Sequence, residues 1–320
     1  MEAARVVPWI GSNKWLRLGL VALALVLLVA LPFYTSRYTP ILMTSIFMYI
    51  ILSVSWALFS GPTGYMSLAT AAFFGVGIYT AAIIGKSVPL PVFAIAGGLV
   101  SAILAVLVGG LTLRLRGVYF AIFTFGLVML IPQFLVFWEL HAFSTRGRFV
   151  VVIDYNTIYY AMLIIVVALV SAAYLIRRSR YGLALRSIGE SEEAASHIGI
   201  NVTLVKVITF AVSAFFIGAA GATMATRWTY IDPYIAFNSS YSFLPVLMAI
   251  FGGMSQLYGP VIGAVIFAYL QEKLITRFPE VYMLIFGIVL VVAILYLPTG
   301  LAGLIQKAWK GITGGARASS

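Results

Sequence analysis

From residue 16 to residue 297 the chain is a succession of apolar runs, each about as long as a bilayer is thick. No Asp, Glu, Lys, Arg or His falls near the middle of any of them. A hydrocarbon core of about 30 Å needs roughly 20 helical residues at 1.5 Å each. The runs cover about residues 16–34, 41–60, 66–85, 91–113, 118–138, 157–176 and 205–226, then a broken stretch over 241–271, then 281–297. Composition decides between a buried core and a membrane. The chain is 62% hydrophobic and 9% charged, where a soluble domain carries about 25% charged residues. The expected fold is therefore all-α, a polytopic helical membrane protein with about ten crossing segments, some of them broken or re-entrant.

The breaks follow the turn residues. Run 16–34 is long for the apolar core of a secretory signal and has no convincing small-x-small cleavage site before the next run, so it reads as a retained signal-anchor. Tyr38-Thr39-Pro40 turns the chain, and residues 61–64, Gly-Pro-Thr-Gly, end the second run. Residues 139–156 read as a polar loop with Glu139, His141, Arg146, Arg148 and Asp154. Late in the chain, Gly252-Gly253 and again Gly259-Pro260 interrupt an apolar stretch only half a bilayer thick. Irregular backbone at that depth survives only inside protein or beside a water-filled cavity. The expected organisation is a lead over 1–14, a single transmembrane domain over 15–305 and a tail over 306–320.

Charge sets the orientation. With the amino terminus inside, the inner segments hold Arg5, Lys14, Arg17, Arg114, Arg116, Arg177, Arg178, Arg180, Arg186, Lys206, Lys307, Lys310 and Arg317. The outer ones hold Arg37, Lys86, Arg146, Arg148, Arg227, Lys273 and Arg277. Thirteen against seven favours cytoplasmic termini. The same scatter explains the net charge of +11 without nucleic acid, since no continuous basic stripe forms. Cysteine is absent and only His141 and His197 are present, which excludes a disulfide framework and disfavours a histidine metal site.

One interval is made for water. Residues 177–206 carry Arg177, Arg178, Arg180 and Arg186, with Tyr181, Leu185 and Ile188 on one helical face. Gly189 is expected to break that helix. Ser191 is a fitting N-cap for a second, short helix with Glu192 and Glu193 in its first turn, and Gly199 is its expected left-handed end. A helix this short needs docking to be stable. The alternative reading is an ordinary amphipathic connector.

Neither of two apparent nucleotide-binding motifs in this chain is complete. Gly85-Lys86-Ser87 mimics the end of a phosphate-binding loop, but the glycine such a loop needs at position 80 is Thr80. The fingerprint begun by Gly75 and Gly77 fails at Thr80 too. The lack of ionisable groups inside the spans argues against proton coupling. Polar residues within them, Ser67, Thr70, Thr124, Ser255 and Gln256, are candidates to line a path for a zwitterionic or uncharged solute; helix–helix hydrogen bonding is the alternative for each. An enzyme would need His141 with Glu139 or Asp154 to converge.

Glu193-Ala194-Ala195 followed by Gly199 resembles the EAA loop of ATP-binding-cassette (ABC) importer permeases. Residues 178–182 (RSRYG) through 199–203 (GINVT) resemble the permeases of branched-chain amino acid importers of the LivM type. So do residues 61–64, Ser67-Leu68, residues 71–75 with Gly77 and Tyr79, and residues 113–117 with Tyr119 and Thr124. Residues 213–216 with Gly218 and Gly221, Gly252-Gly253-Met254 with Gly259-Pro260, and residues 298–301 match as well. The resemblance covers about residues 40–305 and includes Gly61, Gly64, Gly75, Gly252, Gly253 and Gly259 as structural glycines. It implies a bacterial inner-membrane permease subunit whose coupling helix, through Glu193, Ala194, Ala195 and Gly199 with Arg186, docks on a cytoplasmic ATPase. It also implies a second, different permease, two ATPases that hold ATP and Mg, and a periplasmic solute-binding protein. Family members usually carry an acidic residue in the segment that here runs from Phe125 to Gln133, where this chain has none. Relatives for urea and short amides share much of the pattern, so the solute stays open between these and branched-chain amino acids. A stand-alone ion-coupled carrier is the alternative of another class.

Overall fold

The computed structural model describes residues 14–85, 88–113, 115, 117–254, 256–296 and 300–303. The segment 1–13, Arg114, Arg116, Ser255 and the tail beyond 303 lie outside them. The described chain is almost wholly helical, and six of its helices are long and apolar enough to cross a membrane. It is a multi-pass helical membrane protein.

Helix α1 (Lys14–Tyr34) is followed by α2 (Tyr38–Thr63), α3 (Thr70–Ile84), α4 (Leu90–Thr112) and α5 (Val118–Phe143). A two-residue strand β1 (Arg148–Phe149) precedes α6 (Tyr155–Arg178), α7 (Arg180–Glu190), α8 (Glu192–His197) and α9 (Val202–Ala225). Strand β2 (Tyr230–Ile231) then leads to α10 (Pro233–Ala236), α11 (Ser240–Gly252), α12 (Tyr258–Arg277) and α13 (Tyr282–Tyr296). Helix α2 is the axis, surrounded by α6, α9, α11 and α12. One large cluster of buried side chains runs through these helices, and a small separate one lies beneath α7 and α8.

Close approach of backbones builds the bundle. A Cβ on Gly77 would overlap the Gly218 carbonyl, and one on Gly97 would strike Ala222, so α3, α4 and α9 meet at their small residues. Without a hydrophobic drive between helices in lipid, such contacts and interhelical hydrogen bonds are what hold the helices together. Ser101 supplies one, donating to the Phe73 carbonyl at 2.9 Å.

Several expected boundaries move. Helix α2 continues through Gly61 and Pro62 to Thr63 and stops at Gly64, which takes the left-handed conformation at φ 71°. Gly259-Pro260 does not interrupt: both lie in the first turn of α12, where a proline's missing N–H has no partner to lose. The break is a single one, at Gly253 with φ 96°, and there α11 folds back onto α12. That hairpin is tight because Gly252 faces the Gly259 carbonyl, where any Cβ would overlap. Gly75 likewise leaves room for the Phe237 ring, and Gly61 faces Met254. Gly189 does not break its helix either, since α7 runs through it to Glu190. Its lack of a side chain lets the Pro62 carbonyl come against it. The expected loop from 139 is helical to Phe143, then pairs as β1 with β2 in antiparallel register, Arg148 opposite Ile231.

Candidate functional site

Helix α8 is held at both ends and from below. Ser191 Oγ accepts from the Ala194 N–H at 3.2 Å, so the expected cap is present. Gly199 sits at φ 87°, the left-handed region that favours glycine. Its N–H donates to Ser196 and that of Ile200 to Ala195, at 3.0 and 3.1 Å, closing a Schellman end. Asn201 then caps α9, accepting from Leu204 N–H at 3.0 Å. Underneath, Ala195 is buried against Leu185, Ile188 and Val205, which uses the apolar face of α7. Tyr181 extends the joint by donating to the Val205 carbonyl at 2.7 Å. Glu193, Ala194, His197 and Ile198 are left on the surface, and Ile198 is 73% exposed. Arg186 is exposed on α7.

Glu192 turns the other way. Its carboxylate accepts from Lys206 Nζ at 2.8 Å, and Lys206 is only 2% exposed. The same ammonium donates to Tyr65 OH at 3.0 Å and the Leu113 carbonyl at 3.1 Å. A lysine has three N–H donors, and all three are satisfied. The ammonium also lies 4.3 Å from the centre of the Tyr65 ring. Burial holds the Tyr65 hydroxyl above the usual phenol range, with the neighbouring Glu192 adding to it against the lowering pull of Lys206. This node joins α8, α9, the end of α4 and the α2–α3 link. The sequence places Lys206 at a span end without its partners; a lysine at the second turn of an apolar helix is the available signal.

The polar candidates for a path fall in two places. Residues 65–69 are not helical, and side chains from distant helices satisfy their backbone. Leu68 N–H donates to Thr124 Oγ1 at 3.0 Å, the Leu68 carbonyl accepts from Ser242 at 2.6 Å, and the Ser67 carbonyl accepts from the Trp56 indole at 2.7 Å. Ser67, Thr70 and Thr124 are thus brought together and buried. Gln256 lies apart in sequence at the α11–α12 turn, where its carbonyl accepts from Gly259 N–H at 3.3 Å. Trp56 and Ser242 belong to this junction, and the sequence alone does not single them out.

At the opposite end of the bundle, Glu139 is 1% exposed and accepts from Gly147 N–H at 2.8 Å and Arg148 Nε at 3.3 Å. Arg146 pairs with Asp232 at 2.6 Å. His141 is bonded to the Phe137 carbonyl and Asp154 caps α6, so Glu139, His141 and Asp154 do not converge. Among the described residues no cluster could hold a metal ion.

Residues 38–294 match the family model for the permease component of the branched-chain amino acid transport system. The chain belongs to this permease family. Among curated permeases, the high-affinity branched-chain amino acid transport system permease protein LivM of Salmonella typhimurium is 29% identical over 341 residues, 96% of this chain and 80% of the relative. LivM of Escherichia coli is 28% identical over the same shares. The Escherichia coli permease LivH is 30% identical over 140 residues, 42% of this chain and 44% of LivH. No solved structure matches.

Proposed function

We propose that this permease is one membrane subunit of an ABC uptake system that imports leucine, isoleucine and valine delivered by a periplasmic binding protein. It pairs with a second, different permease of the family, and two ATPase subunits bind the ATP and Mg. In the bacterial inner membrane α1 to α6, α9, α11, α12 and α13 make ten crossings, with both termini and α8 in the cytoplasm. Similarity to LivM along 96% of the chain supports the solute class, and partial similarity to LivH supports a pair of related permeases. The observation that carries the coupling role is α8 itself. It is anchored by Ala195, bonded through Glu192, and leaves Glu193, Ala194 and Ile198 uncovered.

ATP-driven closure of the ATPases moves α8, and the Lys206 node passes that motion to the α2–α3 link and the foot of α4. Ser67, Thr70, Thr124, Ser255 and Gln256 serve the solute path in this reading.

The test is reconstitution with the sister permease, ATPases and binding protein, following labelled leucine. Glu193→Lys and Gly199→Asp are expected to abolish uptake and uncouple ATPase activity while the chain still inserts. Unchanged uptake in both variants overturns the coupling role. Accumulation of solute by this chain alone on an ion gradient makes it a stand-alone carrier, and a binding protein loaded with urea or an amide overturns the solute class.

A further inference from the structure

Where α6 passes into α7, Arg177, Arg178, Ser179, Arg180, Leu183 and Arg186 line an open groove of about 290 Å³. Among the described residues, no carboxylate forms an ion pair with Arg178, Arg180 or Arg186. The guanidinium groups of Arg178, Arg180 and Arg186 share this groove and repel one another, and an anion there removes that cost. Ser179 is already used: its hydroxyl donates to Ile176 and accepts from Gly182 N–H. The groove's recognition therefore rests on arginine, whose planar fork of donors matches a phosphate.

The surroundings say which phosphate. Arg178 stacks on Tyr174, 4.6 Å from its ring centre, and Tyr174 and Leu175 next to it face outward from α6, Leu175 with 66% exposure. Helix α6 is one of the membrane-length helices. Exposed apolar side chains one turn before an arginine groove, at the end of such a helix, fit a molecule with a phosphate head and hydrocarbon tails. Arginine clusters flanking a span recruit anionic lipid in this way. An acidic protein segment would satisfy the arginines and leave Tyr174 and Leu175 unused.

We propose that this groove holds the phosphate of one anionic phospholipid, with its acyl chains against Tyr174 and Leu175. Arg177 also donates to the Met254 carbonyl at 3.2 Å, so the bound head group braces the α6–α7 elbow against the α11–α12 turn.

The test uses the assembled transporter in phosphatidylcholine nanodiscs containing phosphatidylglycerol, with bound lipid counted by native mass spectrometry after release into detergent. One phosphatidylglycerol is expected to stay with each copy of this chain. Retention is expected to fall roughly tenfold or more in Arg178→Gln/Arg180→Gln and partly in the exposed Arg180→Gln alone. Lys273→Gln, at the other end of α12, is expected to retain the lipid. Equal retention in wild type and the double variant overturns the proposal. So does full displacement by millimolar inorganic phosphate, which makes the groove a free-anion site. Loss of ATPase-subunit binding in the double variant with lipid retention intact assigns the arginines to the ATPase instead.

Discussion

Lys206 Nζ lies 2.8 Å from a Glu192 oxygen, so the first residue of the short surface helix is bonded to the second turn of a long bundle helix. The pair is inside the protein on the lysine side and partly open on the glutamate side, with side-chain exposures of 3% and 20%. That asymmetry predicts unequal mutants. Lys206→Met removes the buried charge itself, takes a donor from Tyr65 and the Leu113 carbonyl and leaves Glu192 to solvent, and is expected to destabilise by about 1–3 kcal/mol. Glu192→Gln keeps an acceptor but leaves the buried ammonium without its counter-charge, and is expected to cost more, about 3–5 kcal/mol. Thermal unfolding in detergent measures the difference, and equal midpoints contradict the geometry.

Glycines on the same helix are expected to behave oppositely. Gly97 of α4 faces Ala222 and the Gly218 carbonyl, whereas a Cβ on Gly110 meets nothing within 4 Å. Gly97→Val forces α4 from α9 and is expected to cost at least about 3 kcal/mol, as overpacking does at its upper range. Gly110→Ala is expected to be neutral or to stabilise by up to about 1 kcal/mol, the helix-propensity gain. Folded yield and unfolding midpoint of the two variants check this.

The left-handed Gly199 is expected to tolerate alanine at a cost of about 1–2 kcal/mol, because the strain is in the backbone and no neighbour is struck. The loss should be local. Hydrogen exchange at the Gly199 and Ile200 amides is expected to rise well before that of α9.

Thr124→Val keeps the shape of the side chain and removes the acceptor for Leu68 N–H. A buried amide left unpaired costs about 1–3 kcal/mol, and Thr124→Ser is expected to restore most of it. If valine and serine variants unfold at the same temperature, the hydroxyl is not what holds residues 65–69.

Part of the site is legible in the sequence because capping is local. Ser191, Gly199 and the apolar spacing of Leu185 and Ile188 act within a few residues, and all three do what the sequence implies. Gly189 and Gly259-Pro260 depart from expectation for one reason. A glycine marks either a break or a close approach, and which of the two depends on the carbonyl that comes against it, that of Pro62 far along the chain for Gly189 and that of Gly253 across the hairpin for Gly259. The roles of Glu192, Trp56 and Ser242 are hidden in the same way, since their partners lie 11 to 174 residues away along the chain.

By itself the sequence determined that this chain lives in lipid, because apolar length and sparse charge act without regard to neighbours. It could not rank the helices. The membrane-length stretches of α2 and α5 are about equally apolar, yet 83% of the first is buried inside the protein and 22% of the second. Lipid and protein interior are equally apolar, so hydrophobicity does not choose between them. Tertiary structure decided it, through the backbone contacts and scattered hydroxyls that make α2 the axis and leave α5 at the rim.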